Sequence, residues 1–401
     1  MGNLAVRVTK DAARQIRGGH PWVFDASVVS VKPDGAAGDL AVIFDEDRRF
    51  MAVGLYDPDS PIRIKVLHHG RPATVDAAFW HDRITAALGR RAALVQSSVT
   101  TAYRVVHGEN DGMPGFVLDR YGDHLVIKIY SPAWLPHLAT IVGVVTELLS
   151  PATIVLRFSR SVARGDTGDW ADASALLGEL PTGPITFREN GLTFEADIVH
   201  GPKTGYFLDQ RDNRRRVRDL SAGQRVLDVF SSVGGFTVHA AAGGATQVHS
   251  VDISQHAIDA TRRNLALNTG RKAVAACRHF VTTGDAFEVM AHLATRPERF
   301  DIVIIDPPSF ASRRDQVPAA LRAYARLTAL AVSLVARNGI LVQSSCSSRV
   351  TTEDFVSTVR SGAHDAGMTL DVTARTAHAV DHPIGFAEGA YLKAVFARVT
   401  R

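Results

Sequence analysis

The feature that most constrains the fold is the alternation of short apolar runs with helical segments after about residue 192. Strands separated by helices are typical of βαβ units, whose strands lie parallel in one sheet. Four such runs end in polar or glycine-rich turns, at residues 226–230, 247–252, 302–306 and 340–343. We therefore predict an α/β fold whose C-terminal part is a Rossmann-like, doubly wound sheet, with a ligand site at the carboxyl ends of its strands.

The pattern changes along the 401 residues, which is more than one ordinary domain requires. Short β-like runs with turn signals between them occupy residues 1–74 and predict a small β-barrel-like domain. A β-β-helix-β pattern predicts a central α+β domain over residues 75–190. Residues 191–401 then form the doubly wound domain.

Composition indicates a folded protein, because 46% of the residues are hydrophobic and 21% are charged. Two cysteines are too few for a disulfide scaffold or a cysteine-based zinc site, so we expect a reducing, cytoplasmic setting and no metal. We find no signal peptide and no apolar run of about 18 residues, and expect no membrane partner. The net charge of +4 and the arginines at 211–218 are compatible with a polyanionic partner or with solvated helix faces.

A glycine-rich turn and a series of acids predict a nucleotide-type cofactor. Strand 226–230 runs into Ser231–Phe236, where glycines let the backbone approach a ligand. Asp252 ends the next strand, where a carboxylate can accept hydrogen bonds from a ribose, and Asp285 follows the strand after it and can reach an adenine. Each acid alone could be a helix N-cap. The turn lacks the Gly-x-Gly-x-x-Gly fingerprint of dinucleotide enzymes, which favours another adenosine-containing cofactor.

A second group of residues predicts a nucleophile and an acid at the same sheet edge. Cys346 lies in a serine-rich turn after strand 340–343, where a thiol would be presented to a substrate. Asp306 ends another strand and is followed by two prolines that stiffen the turn. Cys277, in a run of small apolar residues, is typical of an inert packed cysteine.

These segments resemble a known family. Ser231–Phe236, Val251-Asp252, Gly284-Asp285, Asp306–Phe310 and Ser345–Ser347, in that order, look like class I S-adenosylmethionine-dependent methyltransferases. More narrowly, together with Thr204–Arg211 and Glu388–Lys393, they resemble the bacterial family that makes 5-methylcytosine in the large-subunit (23S) ribosomal RNA. Gly18–Phe24 is similar to the N-terminal PUA domain of that family, an RNA-binding module.

The resemblance implies S-adenosylmethionine as cofactor, Cys346 as the nucleophile that attacks carbon 6 of cytosine, and Asp306 as the group that stabilises the activated ring. It implies RNA as partner, 23S ribosomal RNA that is protein-free or partly assembled, contacted by Arg211, Arg214 and Arg215, and it is compatible with a homodimer. The cofactor-binding residues would be Tyr206, Gln210, Asp228, Phe230, Ser231, Gly234, Gly235, Phe236, Asp252, Ile253, Asp285, Ala286 and Asp306.

Three alternatives stay open. A methyltransferase acting on a guanine nitrogen would need no cysteine, whereas one acting on carbon 5 of uracil would also need a thiol. An RNA-binding assembly factor with an idle methyltransferase domain would need neither acid nor thiol. Ser309 stands near the place where some RNA cytosine methyltransferases carry a second cysteine, so the base that removes the carbon-5 proton is unassigned.

Overall fold

The computed structural model describes residues 2–400, which divide into two compact units. The first unit contains residues 2–187, 196–206 and 380–386, and the second contains residues 188–195, 207–379 and 387–400. The units therefore interleave along the sequence, whereas the predicted boundaries at 74 and 190 each divide the chain at a single point.

The first sheet of the first unit has six strands in the order β2-β6-β5-β4-β1-β3. Its pairs are antiparallel except β1 with β4. Helix α1 begins after Thr9, whose side chain accepts the Ala12 N–H, and its apolar face packs in the core of this sheet. The elements are β1 Asn3–Val8, α1 Lys10–Arg17, β2 Trp22–Phe24, β3 Val28–Lys32, β4 Leu40–Phe44, β5 Phe50–Tyr56 and β6 Ile62–His69.

The second sheet of this unit has five strands in the order β11-β10-β9-β8-β7. Trp80, Phe116 and Trp134 are fully buried in the core beneath it. The elements are α2 Ala77–Arg90, α3 Ala92–Val95, β7 Ala102–His107, β8 Phe116–Tyr121, β9 His124–Ile129, α4 Leu138–Leu149, β10 Thr153–Phe158 and β11 Ser174–Leu177.

One helical stretch, Pro132–Leu149, is long and apolar enough by length and composition to cross a membrane, so the expectation that no apolar run of about 18 residues exists was wrong. It contains a short 3-10 helix followed by α4. Leu138, Ile141 and Val145 on this stretch have no exposed surface and pack in the core of the first unit. This placement is that of a core helix, because its apolar face is covered by the protein's own side chains.

The remaining elements include a two-stranded sheet of β12 and β13 and a seven-stranded sheet in the second unit. They are β12 Ile185–Glu189, β13 Leu192–Ala196, α5 Arg211–Leu220, β14 Arg225–Val229, α6 Gly235–Ala242, β15 Gln247–Asp252, α7 Gln255–Ala266, α8 Lys272–Ala276, β16 Arg278–Thr283, α9 Ala286–Ala294, β17 Phe300–Ile305, α10 Val317–Leu334, β18 Val335–Ser345, α11 Thr352–Asp365, β19 Thr369–Thr376 and β20 Lys393–Thr400.

The seven-stranded sheet has the order β16-β15-β14-β17-β18-β20-β19. Its first five strands are parallel, and β20 is inserted antiparallel between β18 and β19. The predicted Rossmann-like α/β fold is therefore confirmed. The strand order reverses between β14 and β17, and in sheets of this kind a ligand binds in the crevice outside the carboxyl ends at such a point.

Candidate active site

The turn after β14 has a constrained backbone. Phe230, Ser232 and Gly234 all have positive φ angles, of 65°, 50° and 80°. A side chain at Gly234 would place its Cβ atom 2.6 Å from Cγ2 of Thr261, so only glycine fits there. Non-glycine residues in this region cost about 1–3 kcal/mol each and occur mainly where a ligand or a reaction requires the geometry.

Asp228 lies fully buried beneath this turn. Thr237 donates a hydrogen bond of 2.6 Å to its Oδ2 atom. Burial raises the pKa of Asp228 to about 7, and the Thr237 hydrogen bond opposes the shift. Its Oδ1 atom and the buried Oγ atom of Ser231 have no hydrogen-bond partner among residues 2–400. Buried polar atoms without partners are uncommon and point to a ligand or water at the turn.

Asp252 is the last residue of β15, and its side chain binds the turn that follows β14. Its Oδ2 atom accepts the N–H of Ser232 and its Oδ1 atom accepts the N–H of Ser254, both at 2.9 Å. Each carboxylate oxygen has a second lone pair, so both can still accept a hydroxyl. The next residue, Ile253, is 73% exposed, which leaves a large apolar side chain beside the acid.

Asp285 follows β16 and is the N-cap of α9. Its Oδ1 atom accepts the N–H groups of Phe287 and Glu288 at 2.9 and 3.2 Å. Ala286, the first residue of the helix, is buried. The capping role anticipated as an alternative is therefore present, and it occupies one of the two carboxylate oxygens.

Asp306 follows β17 and is held by two side-chain donors. Its Oδ1 atom accepts a hydrogen bond of 2.8 Å from Nε2 of Gln210 and a second one from the Ser344 hydroxyl. Burial raises the pKa of Asp306 to about 6, although the Ser344 hydrogen bond opposes the shift. A carboxyl group with such a pKa carries a proton for part of the time at neutral pH, and can donate it.

The orientation of Gln210 is fixed by its neighbours. Asn213 donates from Nδ2 to Oε1 of Gln210 at 2.6 Å, so the Gln210 amide nitrogen must face Asp306. The hydroxyl of Thr376 in turn donates to Oδ1 of Asn213 at 2.6 Å. This chain of donors aligns the acid without contributing a charge.

Cys346 is half-buried directly after β18, with its sulfur 3.8 Å from the carbonyl oxygen of Pro307. The structure thus brings the predicted thiol next to the Asp306-Pro307 turn. On the other side, the hydroxyl of Tyr324 lies 2.8 Å from Oγ of Ser345 and 3.0 Å from Oγ of Ser347. The two residues that flank the cysteine are therefore both held by one tyrosine of α10.

Lys393 begins β20 and is opposite Ser345 in the antiparallel register. It is only 3% exposed, and its Nζ atom donates to the carbonyl oxygens of Ser347, at 2.7 Å, and Val350. Burial lowers the pKa of Lys393 to about 8, and the interaction with Cys346 opposes the shift. A lysine that bridges two carbonyls holds the turn around the thiol in place.

Two of the three arginines expected to contact RNA differ from that expectation. Arg211 and Arg214 are 2% and 3% exposed, whereas Arg215 is on the surface. Arg214 donates from Nε and Nη2 to the two carboxylate oxygens of Glu189, each at 2.7 Å, and also to the carbonyl of Phe207. A guanidinium used in this way stabilises the fold rather than meeting a phosphate.

Tyr206 belongs to the first unit and is buried there. Its N–H donates to the hydroxyl of Tyr121 at 3.2 Å, and its ring packs against Phe187 with centroids 5.0 Å apart. These contacts are those of a buried core residue. Its role at a cofactor stays a prediction.

Sequence reasoning assigned no role to four residues of the site, namely Asn213, Tyr324, Ser344 and Lys393. Lys393 had the clearest signal, because it ends the Glu388–Lys393 segment of the family resemblance and is a charged residue before the apolar run Ala394–Ala397. Ser344 precedes the serine and cysteine that were singled out. Asn213 and Tyr324 lie in helices and carry no local signal.

The described residues fit an adenosyl cofactor. The partnerless polar atoms of Asp228 and Ser231, the strained glycine turn and the two acids after β15 and β16 lie along consecutive strand ends. Among residues 2–400 no group of three or more histidines, cysteines or acids is placed to hold a metal ion.

Comparison with known proteins agrees with this site. A family model of S-adenosylmethionine-dependent methyltransferases matches residues 167–376, and a model of PUA-like domains matches residues 6–69. The chain therefore belongs to the S-adenosylmethionine-dependent methyltransferase family, in the branch that carries an N-terminal PUA-like domain. S-adenosylmethionine is the cofactor, as predicted, and the predicted PUA domain is confirmed.

The names of two relatives are more specific than the family description. A "Ribosomal RNA large subunit methyltransferase" of Deinococcus radiodurans is 45% identical over 399 residues, which cover 98% of this chain and 97% of the relative. "Ribosomal RNA large subunit methyltransferase I" of Shigella boydii is 35% identical over 382 residues, which cover 95% of each chain. Both are full-length similarities, and the resemblance stated from the motifs is therefore confirmed.

Solved structures show the same fold. A methyltransferase structure determined with S-adenosylhomocysteine superposes with a TM-score of 0.83 at 20% identity, over 99% of this chain and 100% of that one. A protein from Streptococcus mutans described as an S-adenosylmethionine-dependent methyltransferase superposes with a TM-score of 0.81 at 20% identity. The superposition covers 99% of this chain and 100% of that one.

Proposed function

We propose that this protein methylates carbon 5 of a cytosine in large-subunit ribosomal RNA through a covalent adduct of Cys346. The observation that carries the proposal is the placement of the Cys346 sulfur 3.8 Å from the carbonyl of Pro307, the residue after Asp306. A thiol and a carboxyl with a raised pKa thus share one sheet edge in a methyltransferase domain. The names of the full-length relatives support ribosomal RNA as the substrate.

The cofactor site is proposed from the strand ends. Asp252 would accept the ribose hydroxyls and Ile253 would cover one face of the adenine, while Asp285 would accept from the adenine amino group. The turn around Phe230, Ser231, Gly234, Gly235 and Phe236 would hold the methionine end above Asp228. Ala286, Gln210 and Asp306 would complete the wall of the site. When bound, S-adenosylmethionine supplies an electrophilic methyl group.

Cys346 and Asp306 divide the activation of the base between them. Carbon 5 of cytosine is a weak nucleophile, so the Cys346 thiolate must first add to carbon 6 and break the double bond between carbons 5 and 6. The proton on Asp306 passes to ring nitrogen 3, which takes up the displaced electron pair. Carbon 5 then accepts the methyl group and loses its own proton to a base, and the carbon–sulfur bond breaks to return the thiolate. Nitrogen 3 gives its proton back to Asp306, which restores both the neutral product and the protonated acid.

The raised pKa of Asp306 favours cytosine over uracil. Nitrogen 3 of cytosine has a lone pair that accepts a hydrogen bond, and a protonated carboxyl is the matching donor. Nitrogen 3 of uracil carries a hydrogen and would meet that donor with another donor. The same pocket therefore disfavours the uracil alternative.

The decisive experiment is methyl transfer to an unmodified large-subunit ribosomal RNA transcript by wild type, Cys346→Ala and Cys277→Ala. We expect Cys346→Ala to lose at least about 10³-fold in rate while it still binds S-adenosylmethionine, because the addition step has no substitute. Cys277→Ala is the matched control and should keep its rate. Full activity of Cys346→Ala would contradict the covalent mechanism and favour the guanine-nitrogen alternative.

Identification of the product separates the remaining alternatives. Nucleoside mass spectrometry of the methylated transcript should show 5-methylcytidine, whereas 5-methyluridine or a methylguanosine would assign one of the rival activities. No detectable binding of S-adenosylmethionine by titration would favour the idle assembly factor.

The finer predictions about partners are tested with the same assay. We expect protein-free RNA to be a better substrate than an assembled subunit, because a flipped-out base is needed to reach the thiol. Arg215→Ala should weaken RNA binding, because it removes one contact to a phosphate of the RNA. The affinity should then also depend less steeply on salt concentration. Sedimentation would test the homodimer, and the cytoplasmic location stays a prediction.

A further inference from the structure

Lys393 is a buried cation that the reaction described above does not use. It lies across from Ser345 on the neighbouring strand, so its side chain runs alongside the turn that carries Cys346. It is 3% exposed, and its Nζ atom donates to the carbonyls of Ser347 and Val350. Both carbonyls belong to the segment that directly follows Cys346.

No carboxylate among residues 2–400 forms an ion pair with Lys393. A buried ammonium with only neutral acceptors is costly, and proteins compensate such a charge with an anion or leave the group neutral. The one ionisable group whose charge favours protonation of Lys393 is Cys346. The thiolate of that residue is therefore the anion that would balance the ammonium.

We propose that Lys393 is a positioning residue that holds the Cys346 turn through two carbonyls and keeps its sulfur in the thiolate form. The inference rests on the proposed function, in which that thiolate attacks carbon 6. The thiol proton passes to water, and the ammonium of Lys393 keeps its own proton, so the pair carries no net charge. The carbonyl contacts keep the ammonium from moving away when the sulfur becomes bonded to carbon.

Two other titratable groups face the thiol. Tyr324, from α10, is a neutral phenol at the pH of interest, since burial raises its pKa. Asp306, from the end of β17, opposes the thiolate when it is ionised and not when it carries its proton. Of these groups, Lys393 is the one whose charge favours the thiolate.

The first test uses the chain with Cys277→Ala, in which Cys346 is the only thiol. The rate of alkylation by iodoacetamide is measured from pH 5 to 10 without RNA. We expect the midpoint of the profile to lie at least one pH unit below the value of about 8.5 of an ordinary thiol. A midpoint at or above 8.5 would overturn the proposal, whatever the variants show.

The second test compares three variants in that background. Lys393→Met should move the midpoint upward and slow alkylation at pH 7 by about 10-fold or more, since the thiolate fraction falls tenfold per pH unit. Lys393→Arg should restore most of the reactivity. Lys128→Met is the matched control, because Lys128 also donates to a carbonyl and burial also lowers its pKa to about 8, but it lies in the first unit.

Structural failure is separated from loss of charge by titration with S-adenosylmethionine. An unshifted midpoint in a Lys393→Met variant that binds the cofactor normally would refute the thiolate role. If this variant does not fold, the thiolate role is tested by the wild-type alkylation profile and by the Lys393→Arg variant. A wild-type midpoint near pH 8.5 then refutes that role.

The alkylation assay also keeps the two proposals apart. It needs no RNA and no methyl transfer, so it reports the thiolate even if the substrate is a different base. Full methyl transfer by Cys346→Ala would defeat the proposed function, while an ordinary alkylation profile would defeat the role of Lys393 alone.

Discussion

The two cysteines of this protein have similar accessibility and very different surroundings. Both are half-buried, and each sulfur lies 3.8 Å from a backbone carbonyl, that of Pro307 for Cys346 and that of Arg278 for Cys277. Cys277 follows the short helix α8 beside the edge strand β16, and burial raises the pKa of its thiol. Cys346 follows β18, an interior strand of the sheet, and lies against the carbonyl of Pro307, while the buried Lys393 binds the carbonyl of the next residue, Ser347.

Exposure therefore does not distinguish the proposed nucleophile Cys346 from Cys277. The difference is in the charged groups and in the rigidity of the turn. A thiol becomes nucleophilic when its thiolate is stabilised and when it points where the substrate must lie. The turn between β18 and α11 is held from two sides, by Tyr324 and by Lys393. Under the role proposed for Lys393, this turn meets both conditions.

The largest expected difference between the cysteines is in covalent trapping. A transcript containing 5-fluorocytidine should form a stable adduct with Cys346 in the presence of S-adenosylmethionine, because fluorine at carbon 5 cannot leave as a proton. Peptide mass spectrometry should find the RNA on Cys346 and none on Cys277. An adduct on Cys277, or no adduct on either cysteine, would contradict the assignment of Cys346 as the nucleophile.

Asp306→Asn should give the next largest effect. The amide cannot donate the proton to ring nitrogen 3, and we expect kcat to fall by about 10²–10⁴-fold with cofactor binding kept. The wild type should also lose activity as pH rises above about 6, because the pKa of Asp306 is raised to about 6 and the protonated form is the active one. The variant should lack this decline, and a decline of equal size in Asp306→Asn would assign it to another group.

Tyr324→Phe should have a moderate effect. It removes the hydroxyl that contacts Ser345 and Ser347 and leaves those buried side chains with one partner fewer. A lost buried hydrogen bond costs about 1–3 kcal/mol, which should appear in chemical denaturation and as a roughly tenfold lower kcat. Unchanged kcat with a lowered free energy of unfolding would show that the tyrosine only stabilises the fold.

The smallest effect is expected at Cys277 itself. Since burial raises the pKa of this thiol, its alkylation at pH 7 in a Cys346→Ala background should be only a few-fold slower than that of an unstructured peptide thiol. Lys393→Met should leave this rate unchanged. A shift of the Cys277 profile in that variant would mean that the lysine acts through the fold as a whole.

Much of the fold was predictable because its signals are local. All five parallel strands of the second unit were predicted, four from apolar runs and β16 from a short β-like segment before Asp285. Asp252, Asp285 and Asp306 lie at the ends of their strands as expected. Parallel strands need only the alternation of strand and helix to be recognised. Their carboxyl ends then meet at one edge by geometry.

The rest could not be read from the sequence because it depends on long-range pairing. Strand β20 pairs antiparallel with β18, and no local pattern indicates that it brings Lys393 opposite Ser345. Arg214 shows the same limit, since its charge suggested an RNA contact while its partner Glu189 lies 25 residues earlier. Sequence gives the charge of a side chain, and only the folded chain shows whether that charge faces water.

The position of β20 has a consequence for when the enzyme becomes reactive. Cys346 is synthesised 47 residues before Lys393, which completes the carbonyl contacts of the turn and begins the last strand along the chain. Domains fold while the chain emerges from the ribosome, with earlier segments first. If Lys393 sets the thiolate, the nascent protein carries an ordinary, mostly protonated thiol until β20 pairs, and oxidation or alkylation of the nucleophile is slower during synthesis.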